Sequence, residues 1–231
     1  MSTHNNNKVS NPYKRQKNQL KNIIKHDTSI GIEHYLRILL SSIQFVTLGL
    51  LVKYITGLLG GFRLRKVGTD VYMLINLFFP AVVIYFNWYN SLYICVLLGI
   101  LLTETFLYLM ALVFLDDVIA STASFKRNFI GIICNYIQSV MTFAVFYLHN
   151  GLTRLHQSRL SSIYYSLSTQ STLGYGDIHP DVGDTANMVC VIIQTFVGIL
   201  FIVLFFARNI SLFGEKTFLQ KRKQQPTKQS R

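Results

Sequence analysis

Four stretches of this chain, residues 38–52, 71–94, 128–148 and 188–207, contain no Asp, Glu, Lys or Arg. A helix needs about 20 apolar residues to cross the hydrocarbon core of a bilayer. The last three stretches reach that length. They also lack the polar stripe that a helix of a soluble bundle presents to water. Only 14% of the residues are charged, against about a quarter in soluble domains. The pattern predicts an all-α integral membrane protein.

Five hydrophobic segments follow one another at about 36–60, 71–87, 91–115, 128–149 and 186–210. A shorter apolar stretch at about 158–170 is too short to span. Residues 1–33 form a basic, polar N-terminus, read as cytoplasmic or disordered. Residues 211–231 form a basic cytoplasmic tail. The net charge of +12 is concentrated at these two ends. In a membrane chain it reads as cytoplasmic flanks facing anionic lipid, not as a nucleic-acid surface. Cys95, Cys134 and Cys190 lie inside hydrophobic runs and read as small apolar residues. No HExxH or GxSxG motif is present, and nothing in the chain points to an enzyme or to a bound cofactor.

Lys and Arg in short loops set orientation. "FRLRK" (62–66), "SFKRN" (124–128) and the tail read as inside; 87–91 and the loop 149–187 read as outside. The four segments from residue 71 onward agree with this. The first does not. If 36–60 spans the membrane and "FRLRK" is an inner loop, the basic N-terminus must lie outside. Either 36–60 is a fifth span, as its hydrophobic length favours, or it is an interfacial or re-entrant helix. Glu104 sits inside an apolar segment, where an acid is a candidate for function or for a pair with Lys53. No span carries arginines at every third position, so the usual voltage sensor is absent.

"STLGYGDIHP" (171–180) lies between the short stretch and the last hydrophobic segment. Irregular backbone survives at membrane depth only where it is buried in protein or lines water. Gly174 and Gly176 can adopt dihedrals closed to other residues, so successive carbonyls can point one way. Several chains around one axis would turn such carbonyls into rings of oxygen able to replace the hydration shell of a cation.

"TLGYGD" (172–177) resembles the selectivity filter of tetrameric potassium channels. The likeness extends over "IYYSLSTQSTLGYGDIHP" (163–180) and fits an outer helix at 128–149, a pore helix at about 158–170, the filter at 172–177 and an inner helix at 186–210. Two or three further hydrophobic helices, in 34–127, precede this 128–210 module. The resemblance implies that Thr172, Leu173, Gly174, Tyr175 and Gly176 bind K+ as the permeating ligand, with carbonyls from the first four and the Thr172 hydroxyl as ligands. It implies that Asp177 and His179 lie at the outer mouth, that Tyr164, Tyr165 and Thr169 support the filter, and that Gly198 is an inner-helix hinge. It further implies a homotetramer in the plasma membrane.

Tyr164 and Tyr165 stand where relatives often carry tryptophans, which puts the rigidity of the filter in question. Gly198 can equally be a packing glycine. A weakly selective cation channel and a non-conducting membrane sensor or subunit remain alternatives to a potassium channel.

Overall fold

The computed structural model describes residues 11–26, 31–115, 125–151, 158–181 and 183–223. These residues form helices α1 (Pro12–His26), α2 (Ile32–Ile43), α3 (Leu48–Tyr85), α4 (Leu92–Phe114), α5 (Phe125–Asn150), α6 (Arg159–Gln170) and α7 (Thr185–Lys223), and no strand. Four windows are long and apolar enough to cross a membrane: Leu64–Tyr85, Leu92–Ala111, Ile130–Asn150 and Thr185–Leu204. The molecule is an all-α integral membrane protein.

Packing fixes which helix ends share a side. Val83 and Ile84 of α3, Cys95 and Leu98 of α4, and Ala144 and Val145 of α5 form one buried cluster. Beside it the His149 ring donates through Nδ1 to the Tyr89 carbonyl at 2.7 Å. Arg159 donates to Asn87 Oδ1 at 2.9 Å. We call this the outer end. At the opposite, inner end, Ile23 of α1 and Leu40 of α2 pack on Ala111 and Leu115 at the close of α4. Leu109, Ile132 and Phe201 join α4, α5 and α7 nearby. α5 is the hub: 56% of its spanning window is buried, against 22% for α7. A large apolar face of α7 is therefore left uncovered by its own chain.

α3 is not straight. A helix rises 1.5 Å per residue, so Gly49 and Tyr72 would stand about 35 Å apart along a straight α3. Instead the Glu104 carboxylate touches both. Its Oε1 accepts from the Gly49 N–H at 2.6 Å, and its Oε2 accepts from the Tyr72 hydroxyl at 3.1 Å. Thr56 lies so close against Gly68 that a Cβ there would collide with it, and the Arg65 stem lies over Gly57. Residues 49, 56 and 57 thus run beside 72, 68 and 65, and the chain doubles back at about Gly60–Gly61. "FRLRK" is correspondingly part of a helical turn-back at the inner end, not a loop between two separate spans.

This path bears on the orientation conflict. α2 starts the entry with Leu40 at the inner end, and a 54° bend near Thr47 leads to the first arm of α3. Gly49 reaches the depth of Glu104, and the arm then returns to the inner end. Residues 32–59 thus form a bent helix pair, whose shape fits either a broken fifth span or a re-entrant segment; the contacts of Glu104 with both arms of α3 favour the re-entrant form. α1, the turn-back and the start of α5 then share one side, as the positive-inside rule requires. The break at Thr47 frees N–H groups at the start of α3, well inside the apolar layer. Glu104 is the acceptor there, and a carboxylate at a helix N-terminus also meets the positive end of the helix dipole.

The expectation of disorder over 1–33 fails for residues 12–26 and for the start of α2. α1 is a docked helix. Gln16 Nε2 donates to the Ser41 carbonyl at 3.3 Å and to Gln44 Oε1 at 2.7 Å, and the Tyr13 ring meets Tyr54 edge-on at 5.3 Å. Its basic residues Lys14, Arg15, Lys17, Lys21 and Lys25 are exposed. Residues 1–10 lie outside the described part.

Single cysteines at Asn22 and Leu59, in a background free of the native cysteines, should react with an impermeant thiol reagent from one side of a vesicle membrane. One at Asn90 should react only from the other side. Labelling of Asn22→Cys together with Asn90→Cys would mean that 32–59 crosses the membrane after all.

Candidate functional site

α6 begins at the outer end. Ser158 caps it, its Oγ accepting from the Ser161 N–H at 3.0 Å. The helix runs inward and stops at Gln170, too short to cross, so its C-terminus and the negative end of its dipole lie inside the apolar layer.

The chain that leaves α6 hydrogen-bonds back onto it. Ser171 N–H donates to the Leu167 carbonyl (3.0 Å) and Thr172 N–H to the Thr169 carbonyl (3.1 Å). Leu173 and Gly174 both donate to the Ser168 carbonyl, at 3.0 and 3.3 Å. Among the described residues no group donates to the carbonyls of Thr172, Leu173, Gly174, Tyr175 or Gly176. The N–H groups of residues 171–174 are taken up by the end of α6, while the carbonyls of the ribbon are left as a run of open acceptors.

Its dihedrals alternate. Thr172, Gly174 and Gly176 have φ of 59°, 52° and 76°, whereas Leu173 and Tyr175 keep negative φ. Glycine takes positive φ without strain. A β-branched threonine there is an outlier, and such strain collects at functional sites. The Thr172 hydroxyl donates to the Ser171 carbonyl at 2.7 Å, which commits its proton and leaves its lone pairs open.

Aromatic rings hold the outer half of the ribbon. Tyr164 of α6 stacks on Tyr175, with centroids 6.1 Å apart and planes 9° from parallel. Its hydroxyl donates to Asp177 Oδ2 at 2.9 Å. That hydrogen bond, together with the carboxylate's charge, pushes the Tyr164 phenol above its ordinary range. The phenol therefore keeps its proton through neutral pH and past about 10, the usual tyrosine value. Tyr165 is buried and meets Tyr147 edge-on at 5.0 Å. His179 is exposed, its Nδ1 donating to the Pro180 carbonyl at 3.1 Å. Asp184 caps α7, accepting from Asn187 N–H and Nδ2 at 3.2 and 2.6 Å.

The structure thus brings Tyr164, Tyr175 and Asp177 together. Tyr165 and Thr169 lie behind the ribbon, and His179 projects from its outer exit. Gly198 lies elsewhere: a Cβ on it would stand 2.5 Å from the Gln170 carbonyl oxygen, so close approach of α7 to the end of α6 is reason enough for glycine. α7 runs unbroken through it. Sequence reasoning missed the buried polar contacts around Gln194, which faces Tyr147, Ser166 and Gln170. The available signal was one amide in a charge-free run. Gln138 makes a comparable interhelical bond, accepting at Oε1 from Thr105 Oγ1 at 3.3 Å.

Two spanning helices, a short helix entering between them and a ribbon with open acceptors make up the candidate site of a membrane protein. Residues 135–215, from the middle of α5 through the ribbon into α7, match the family model described as "Ion channel". The helices before residue 135 lie outside that match. No curated protein and no solved structure matches the chain.

Tyr164→Phe removes one hydroxyl and leaves the stacked ring. Amides of residues 175–177 should then exchange hydrogen faster at neutral pH while those of α5 do not change. In the wild type the same loosening should appear only as pH rises through the raised phenol titration. Equal protection in both proteins at neutral pH would show that the bond to Asp177 does not hold the outer ribbon.

Proposed function

We propose that the chain is one subunit of a homotetrameric, potassium-selective channel that conducts K+ passively across the plasma membrane. The observation that carries this reading is the ribbon "TLGYGD" (172–177), with alternating positive φ and no protein donor to its carbonyls, at the inward end of a short helix. In this reading the carbonyls of Thr172, Leu173, Gly174, Tyr175 and Gly176 and the hydroxyl of Thr172 replace the water around a K+ ion. The C-terminal dipole of α6 favours a cation just below them. Asp177, held by Tyr164, shapes the outer mouth, with His179 above it. The ion is the cargo; no bond is made or broken and no cofactor is called for.

One ribbon per chain supplies one side of an oxygen ring, so several chains must meet on an axis. The largely uncovered apolar face of α7 supports such an assembly. The exposed lysines of α1 and the basic tail suit anionic lipid on the inner face.

Purified protein in liposomes should pass K+ well ahead of Na+. Gly174→Ala forces a side chain into left-handed backbone, at about 1–2 kcal/mol per chain, and should abolish that preference. Comparable K+ and Na+ flux through the wild type would refute potassium selectivity.

Mass measurement of the detergent-solubilised particle should give four chains. A dimer as the largest conducting species would contradict the assembly.

A further inference from the structure

We propose that Gln194 is a positioning residue for the selectivity filter: from the inner helix, its side chain fixes where the pore helix ends and the filter begins. The proposal rests on the reading of residues 172–177 as a filter and adds a determinant that the filter motif does not contain.

Gln194 lies on α7, fully buried, at a junction of three helices. The two N–H of its Nε2 are shared among the Ser166 carbonyl at 2.8 Å, Ser166 Oγ at 2.8 Å and Gln170 Oε1 at 3.2 Å. Its Oε1 accepts from the Tyr147 hydroxyl at 2.5 Å. The direction of each bond is determined. A carbonyl can only accept, so Nε2 must face Ser166, and Oε1 is then left for the Tyr147 proton. Ser166 Oγ can accept because its own proton goes to the Val140 carbonyl at 2.6 Å. Gln170 Oε1 also accepts from Ser139 Oγ at 3.2 Å. Tyr147, Ser166, Gln170 and Ser139 are each wholly buried. Two donors aimed at Gln170 Oε1 fix that amide even though its Nε2 has no partner among the described residues.

The place of this junction gives it its role. Ser166 and Gln170 are the last turn of α6, and Gln170 immediately precedes Ser171 and Thr172. One turn further along α7, Gly198 touches the Gln170 carbonyl. α7 therefore holds the start of the filter at two points, by directed hydrogen bonds at Gln194 and by close approach at Gly198. Apolar contact of Leu102, Phe143, Tyr147 and Tyr165 with Val191 and Val197 already holds these helices together. Such packing is non-directional. The amide adds register: it ties the end of α6 to one position along α7. A ring of carbonyls that must match an ion to within about 0.5 Å needs that precision.

The test compares Gln194→Leu, Tyr147→Phe and wild type in liposomes, reading the K+ to Na+ permeability ratio on particles of verified assembly. Gln194→Leu is close to the native volume and removes every hydrogen bond that Gln194 makes. It should assemble and lose at least tenfold in the ratio. An assembled Gln194→Leu channel with the wild-type ratio would overturn the proposal, since a purely structural role changes yield and not selectivity. If Gln194→Leu fails to assemble, Tyr147→Phe decides: it deletes one hydroxyl and should lower the ratio in the same direction, whereas an unchanged ratio overturns the proposal. Absence of K+ preference in the wild type itself is a separate outcome; it removes the filter reading and this proposal with it.

Discussion

Backbone carbonyls held at membrane depth must meet a partner, because an unpaired polar group in an apolar medium costs several kcal/mol. The ribbon after α6 is arranged around that constraint. Its N–H groups from Ser171 to Gly174 are consumed by the last turn of the helix before it, and the carbonyls from Thr172 to Gly176 are left without protein donors among the described residues. A line of acceptors of one kind, with glycines at alternate positions to allow positive φ, is what the proposed function assigns to a dehydrated cation. The strained φ of Thr172 belongs to the same arrangement. Its hydroxyl donates a hydrogen bond to the Ser171 carbonyl and keeps its lone pairs open.

The other described elements of the pore half serve to hold that ribbon still. α5 runs behind α6 and takes most of the burial. Ser166 hooks onto the α5 backbone at Val140, and Tyr165 packs on Tyr147. The outer end of the ribbon is held by Tyr164 through a stacked ring and a bond to Asp177. The inner end is held from α7 by Gln194 and Gly198. The front half has a different problem, an interrupted helix inside the apolar layer. It meets it with one carboxylate, Glu104, set against the start of α3.

Much of this was legible in the sequence, and what was not has physical causes. The spans were visible because a bilayer demands uninterrupted apolar length. The ribbon was visible because its glycines sit between a short apolar stretch and a long one. Residues 36–60 were ambiguous because hydrophobic length and loop charge disagreed there. The tie between Gly49 and Tyr72 runs through Glu104 on another helix, a contact no local pattern encodes. Tyr164 stands where the resemblance would place a tryptophan, and its phenol reaches Asp177, a contact that its position in the sequence does not reveal. Gly198 fitted a hinge by position; what explains it is the Gln170 carbonyl beside it. Gln194 could not be singled out because all its partners lie on other helices.

The most direct measurement is an experimental density map of the assembled protein in K+, compared with one in Na+ without K+. The account predicts four ribbons around one axis, with ion density in K+ between successive planes of the Thr172 to Gly176 carbonyl oxygens, and loss or rearrangement of that density when K+ is withdrawn. Ribbons whose carbonyls turn away from the axis, or an axis free of ions in K+, would contradict it.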